Sequence, residues 1–164
     1  MITRVMRNAV WLGVGEAVAK GGLLLTVMIV ARAAGPDAVG TFTIAYSAAL
    51  IAVLAGALGQ QEVLIREVAR SPDGARGLIG KSRFAQIRAA RWLVPAAAIG
   101  ALLVPEPALR LTLLVFLPYA VLRTATVTYG AVFKGFDRMD VEARARGLET
   151  VVALILVVII VILR

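Results

Sequence analysis

What most constrains this chain is a succession of long apolar runs separated by turns and basic segments. Five are evident: about Asn8 to Ala34, Thr41 to Ile65, Trp92 to Val104, Leu109 to Phe133 and Leu148 to Leu163. A helix rises ~1.5 Å per residue and the hydrocarbon layer of a bilayer is ~30 Å thick, so the first, second and fourth runs cross it with length to spare. The third is short alone. It becomes adequate if its helix begins in the preceding basic segment, where Phe84 and Ile87 lie three apart among Arg83, Arg88 and Arg91. The expected spans are 8–34, 41–65, 88–104, 109–133 and 148–163, within a single transmembrane domain covering residues 1–164. The fold class this predicts is all-α, a polytopic transmembrane helix bundle.

Composition agrees. The chain is 60% hydrophobic and 17% charged, whereas soluble domains hold ~45–50% apolar and ~25% charged residues. With no cysteine there is no disulfide, thiol nucleophile, zinc ribbon or iron–sulfur cluster. With no histidine the commonest general base and metal ligand is missing too. The ten acids are scattered over separate segments, which points to no metal site, and no cofactor is expected. The net charge of +8 would suit a nucleic-acid partner, but its placement argues against one. The basic residues gather between apolar runs, where membrane proteins carry them for orientation.

The connections alternate in character. Gly35-Pro36-Asp37 and Pro105-Glu106-Pro107 are tight turns. Residues 66–91, with a turn at Ser71-Pro72-Asp73-Gly74, and residues 134–146 read as two basic connections. Arg4 and Arg7, the seven basic residues from Arg66 to Arg91, and Lys134, Arg138, Arg144 and Arg146 fall on one side of a five-span topology. They make thirteen of the 18 basic residues. Only Arg32, Arg110 and Arg164 fall on the other. This bias predicts a multi-pass protein of the cytoplasmic membrane, its N-terminus and both basic connections cytoplasmic. A competing reading takes Leu23 to Ala31 with Ala31-Arg32-Ala33 as a signal-peptide core and cleavage site. The first run is far longer than a signal core, and four more follow it.

Three ionisable residues fall at membrane depth, Glu16, Lys20 and Arg123, where each costs ~2.5–3.5 kcal/mol on insertion scales. Glu16 and Lys20 lie four apart with the acid first, so they share a helix face. They are either a self-neutralising pair or the lining of a central cavity. Tyr119, Arg123, Thr126 and Gly130 follow at i, i+4, i+7 and i+11 as one polar stripe. Pro118 just before it removes a backbone hydrogen bond and is expected to bend the helix. Arg123 either pairs with Glu16 for packing or meets an anionic substrate group, which its guanidinium suits. The stripe extends further than a single pair requires, which favours the substrate. Lys20, Arg123, Glu16, Tyr119 and Thr126 are therefore the candidate substrate-binding residues. Gly56 and Gly59 with Ala49 and Ala52 form a small-residue stripe that reads as a packing seam.

No catalytic constellation is visible. Asp73-Gly74-Ala75-Arg76 resembles the Asp-Gly-x-x-Ala-Arg signature of CDP-alcohol phosphotransferases, but it lacks the two intervening residues and the downstream aspartates. Asp137 and Asp140 lack further acids spaced for a metal, and there is no phosphate-binding loop. The chain reads as a non-enzyme.

Three stretches carry a resemblance. Ala31 to Gly40 is close to an A-R-x-L-G-P-x-x-x-G turn, with Tyr46-Ser47 after it. Gly59 to Leu64 with Arg66, Glu67 and Arg70 matches an end-of-second-helix pattern, and Lys134-Gly135-Phe136-Asp137-Arg138-Met139 is close to Q-G-x-E-R-M. In these the sequence resembles the polysaccharide biosynthesis (O-antigen type) flippases of the multidrug/oligosaccharidyl-lipid/polysaccharide exporter superfamily. Ala34, Lys134 and Asp137 replace that family's usual leucine, glutamine and glutamate. The resemblance implies a transporter of 12 to 14 helices in two lobes, moving polyprenyl-diphosphate-linked oligosaccharide between leaflets. About five helices would form most of one lobe, so a fragment of a longer protein is expected. The implied partners are the lipid-linked oligosaccharide, the lipid bilayer, and membrane glycosyltransferases or a polymerase. Two alternatives stand beside this: a multidrug or cation antiporter of the same superfamily, with Glu16 coupling ions, and a non-transporting membrane scaffold subunit.

Overall fold

The computed structural model describes the backbone of residues 2–57 and 59–162, with all side chains there except those of 2–5, 73, 156 and 159–162. The expected end of the last span at Leu163, and Arg164, lie outside the described residues, as do the side chains of Arg4 and Asp73. The described chain is all-α: α1 (Ile2–Ala34), α2 (Pro36–Ala57), α3 (Gln61–Arg70), a single 3-10 turn (Pro72–Gly74), α4 (Ala75–Leu102), α5 (Pro107–Gly135) and α6 (Met139–Ile162). Among the described residues three segments are long and apolar enough to cross a membrane: Met6–Ala34, Pro36–Ala57 and Pro107–Gly135.

Local chemistry sets the boundaries. Gly35 takes φ +85 and its N–H donates to the Ala31 carbonyl, closing α1, while Pro36 opens α2 with a φ already fixed for a helix. Between α4 and α5 the Arg110 guanidinium donates from both Nε (3.0 Å) and Nη2 (2.9 Å) to the Val104 carbonyl, and Pro107 opens the next helix. Helices α4 and α5 run through Pro95 and Pro118 without a break in secondary structure.

Two expectations need correction. The run 41–65 is not one helix: α2 stops at Ala57, Gly59 takes φ +63, and α3 starts at Gln61. A left-handed residue cannot continue a right-handed helix, and glycine adopts that conformation without steric penalty. Gly59 is therefore the break and not part of the packing seam. The two basic stretches are not loops either. Residues 66–91 are helical in α3 and α4 apart from the short link around Pro72–Gly74, and only Phe136–Arg138 separate α5 from α6. Helix α4 starts at Ala75, thirteen residues before the start expected at 88, and takes in the basic segment from Arg76 to Arg91.

The chain divides into two units, Met1–Val39 with Asp137–Arg164, and Gly40–Phe136. In the first, α1 packs along α6. A β-carbon on Gly15 would lie 3.3 Å from Ala143 Cα and Cβ, and one on Gly22 would strike the Thr150 methyl. Both pairs advance by seven residues in the same direction, so the helices run parallel with a heptad-spaced seam. Asn8 Nδ2 donates to Asp137 Oδ1 at the start of that seam. The N-terminal part of α1 and the first turns of α6 thus lie at the same end.

In the second unit α5 is the common wall. Phe42 meets Phe116 edge-on at 5.6 Å and Tyr46 lies 6.3 Å from Tyr119. Further along, Gly56 faces Thr124, so α2 and α5 run parallel. Ala49, Val53 and Ala120 are the buried core between them. Helix α4 runs antiparallel to α5: its Gln86 bonds Thr128, while residues later in α4 line one cavity together with residues earlier in α5. Helix α3 is amphipathic, burying Leu64 and Val68 and carrying Glu62, Arg66, Glu67 and Arg70. It seats on the end of α5 at Gly135.

Candidate functional site

Lys20 is the central residue of the Met6–Ala34 segment, and Glu16 lies one helical turn before it. The Glu16 carboxylate accepts a hydrogen bond from Arg146 Nη1 of α6. Arg146 Nε is 3.0 Å from the Glu142 carboxylate, whose side chain is only 5% exposed. A carboxylate that dry needs a counter-charge, and Arg146 supplies it while tying α1 to α6. Lys20 is exposed. It lies about a third of a turn round α1 from the seam residues Asn8, Gly15 and Thr26. Arg146 was assigned by sequence to a basic connection, so its role as the partner of Glu16 was missed. The signal was present: Glu142 and Arg146 are four apart with the acid first, a helix pair rather than a loop pattern.

Arg123 sits two residues past the centre of Pro107–Gly135. With Tyr119 it is half-buried, and Tyr119 belongs to an aromatic cluster with Tyr46 and Phe116, at 6.3 and 5.6 Å. The Thr126 hydroxyl donates to the Arg123 carbonyl at 2.9 Å. The three lie on one face of α5. Glu16 and Lys20 belong to the first unit; Tyr119, Arg123 and Thr126 belong to the second.

A cavity of about 250 Å³ lies between α2, α4 and α5, and sequence reasoning did not anticipate it. The stripe lies on roughly the opposite side of α5. Its polar end holds Arg83, Gln86, Thr128 and Tyr129; Leu93, Val94, Ala97, Leu117 and Val121 line the rest. The Gln86 amide donates to Thr128 Oγ1 at 2.5 Å, and that hydroxyl donates to the Thr124 carbonyl at 3.0 Å. The Arg83 guanidinium lies 5.9 Å from the Tyr129 ring centroid, a cation–π distance. On α4, Arg83, Gln86, Ala90, Val94 and Ala97 recur at helical spacing, which is the signal that was available.

The segment from Lys134 to Met139 has a structural explanation. A β-carbon on Gly135 would lie 2.7 Å from Val68 Cβ and 3.0 Å from the Ile65 carbonyl oxygen, so only glycine lets α3 approach so closely. Asp137 takes φ +59, a conformation aspartate tolerates better than most residues, and turns the chain from α5 into α6. The Arg138 guanidinium, 3.2 Å away, donates to Asp140 and holds its carboxyl below the usual carboxylate range. Among the described residues no group of three or more acids, histidines or cysteines could hold a metal ion.

The sequence profile of the family described as polysaccharide biosynthesis protein matches residues 5–164. The chain belongs to that family. Comparison with curated proteins and with solved structures gives no match. Family membership and the three membrane-length helices together make this polysaccharide biosynthesis protein a membrane protein of polysaccharide synthesis or export.

Proposed function

We propose that this polysaccharide biosynthesis protein is a flippase that moves polyprenyl-diphosphate-linked oligosaccharide across the cytoplasmic membrane, without catalysing a covalent step. The observation that carries the reading is the placement of Lys20 and Arg123 at or next to the centres of two apolar membrane-length helices. A lipid diphosphate must take its anionic headgroup through a low-dielectric layer, where an uncompensated charge is expensive. A cation at the midplane lowers that barrier, and each cation kept there carries an insertion penalty that function must justify. Arg123 adds the planar fork that fits phosphate oxygens. Glu16 lies one helical turn from Lys20 on α1, and Tyr119 and Thr126 share a face of α5 with Arg123.

The test uses cells lacking their own copy, supplied with the complete gene as wild type, Lys20→Ala or Arg123→Ala. Surface glycan, accumulated lipid-linked sugar and the amount of protein in the membrane are measured together. The expected result is loss of export with accumulation of the lipid-linked precursor while membrane insertion is retained. Unchanged export in both variants removes the site assignment. Proton- or sodium-driven dye efflux without any change in lipid-linked sugar makes the protein an antiporter.

A further inference from the structure

The cavity between α2, α4 and α5 lies apart from the polar stripe and plays no part in the transport reading above. Its form is specific. Along α4 it extends from Arg83 to Ala97, ~21 Å at ~1.5 Å per residue. One leaflet's share of a ~30 Å hydrocarbon layer is ~15 Å, so the cavity is as long as one leaflet with its headgroup layer. Small residues (Gly56, Ala90, Ala97 and Ala125) keep it from being filled by the protein's own side chains. About 250 Å³ spread over that length makes a narrow, elongated groove, the shape of a single extended chain.

Its two ends differ in kind. Polar groups concentrate at the Arg83 end, and the far end is aliphatic. Among the described residues no carboxylate forms a salt bridge with Arg83, and from Gly74 to Pro105 the sequence holds five basic residues and no acid. An amphiphile with an anionic head and an apolar chain complements this gradient in both respects.

We infer that this groove is a resident lipid site: one acyl chain of an anionic glycerophospholipid lies along α4 and α5, with its phosphate at Arg83 and Gln86. The lipid comes from the leaflet that faces the basic end of α4. Under the positive-inside bias this is the cytoplasmic leaflet, whose anionic lipids attract basic side chains. The assignment does not depend on flippase activity.

The purified protein is reconstituted into phosphatidylcholine vesicles containing phosphatidylglycerol or phosphatidylcholine spin-labelled on the acyl chain. The relative affinity for the two is read from the immobilised fraction. Wild type prefers phosphatidylglycerol, and Arg83→Gln lowers that preference about fivefold, the effect of one interfacial basic group. Ala97→Phe fills the apolar end while leaving every charge in place, and lowers immobilised phosphatidylglycerol in the same way. Arg76→Gln, on the same helix but outside the groove, leaves the preference as in wild type. Equal losses in Arg76→Gln and Arg83→Gln would mean a diffuse basic collar, and an unchanged Ala97→Phe would mean annular lipid; either overturns the site. Displacement of the label by a polyprenyl phosphate, but not by unlabelled phosphatidylglycerol, overturns it in favour of cargo.

Discussion

Gly135 and Val68 approach so closely that a β-carbon on the glycine would lie 2.7 Å from Val68 Cβ and 2.9 Å from its Cγ1. The contact seats the amphipathic α3 on the end of α5, and the Ile65 carbonyl oxygen at 3.0 Å leaves no room for side-chain adjustment alone. Gly135→Ala is therefore expected to destabilise by ~1–3 kcal/mol, the usual range for overpacking. Val68→Ala in the same chain relieves the Cγ1 contact at 2.9 Å but keeps the Cβ at 2.7 Å, so the two losses should be less than additive without a return to wild-type stability. Thermal unfolding midpoints in detergent for the two single variants and the double variant check this, and additive losses would mean the two residues do not touch.

Much of the fold was legible because hydrophobic run length and turn chemistry are local properties. The helix stop at Gly35, the proline start of α5 and the basic beginning of α4 all follow from residues within a turn of the boundary. The break at Gly59 was not legible: a single glycine inside an apolar run serves equally as a packing residue, and only the left-handed φ decides. The site was less legible than the fold. The faces of Glu16 and of the Tyr119–Arg123–Thr126 stripe follow from helical spacing alone. Arg146 as the partner of Glu16 depends on which helices lie side by side, and that is set by the Gly15–Ala143 and Gly22–Thr150 register across more than a hundred residues. The groove at Arg83 needs three helices at once, so no local pattern announces it.

Glycines along α1 should divide by their surroundings. A β-carbon on Gly22 would strike Thr150, whereas Gly13 and Gly21 have nothing within 4 Å. Alanine at either open position should stabilise the helix by up to ~1 kcal/mol through propensity. Alanine at Gly22 should lower the unfolding midpoint, with recovery when Thr150→Ala is added. A gain at Gly22 equal to that at Gly13 would contradict the seam.

The cluster Glu16–Arg146–Glu142 should respond asymmetrically to substitution. Removing Arg146 leaves Glu142, with its side chain only 5% exposed, without its cation 3.0 Å away. Loss of one partner of a buried pair costs ~3–5 kcal/mol. The 24% exposure of Arg146 places Arg146→Gln at the lower end, and Glu142→Gln should recover part of it by removing a buried charge. Unfolding midpoints of the three variants decide, and a double variant no better than Arg146→Gln alone would show that Glu142 is not held by this pair.

The direction of α6 relative to α1 can be read by cross-linking, since the native sequence has no cysteine to confuse the result. A β-carbon on Gly15 would lie 3.3 Å from Ala143 Cβ, near the ~3.8 Å of a disulfide. Gly15→Cys with Ala143→Cys should therefore close under mild oxidation. In parallel packing the next pair seven residues on, Gly22→Cys with Thr150→Cys, closes as well. In antiparallel packing about the same first contact, Asn8 would face Thr150, so Asn8→Cys with Thr150→Cys would close and the Gly22–Thr150 pair would not. Fourteen residues separate Asn8 and Gly22 on α1, ~21 Å along the helix axis, far beyond the ~7 Å over which Cα atoms can be bridged. Closure of the Gly22–Thr150 pair requires both helices to leave the same membrane face, which forces an odd number of crossings from α1 to α6, counting both.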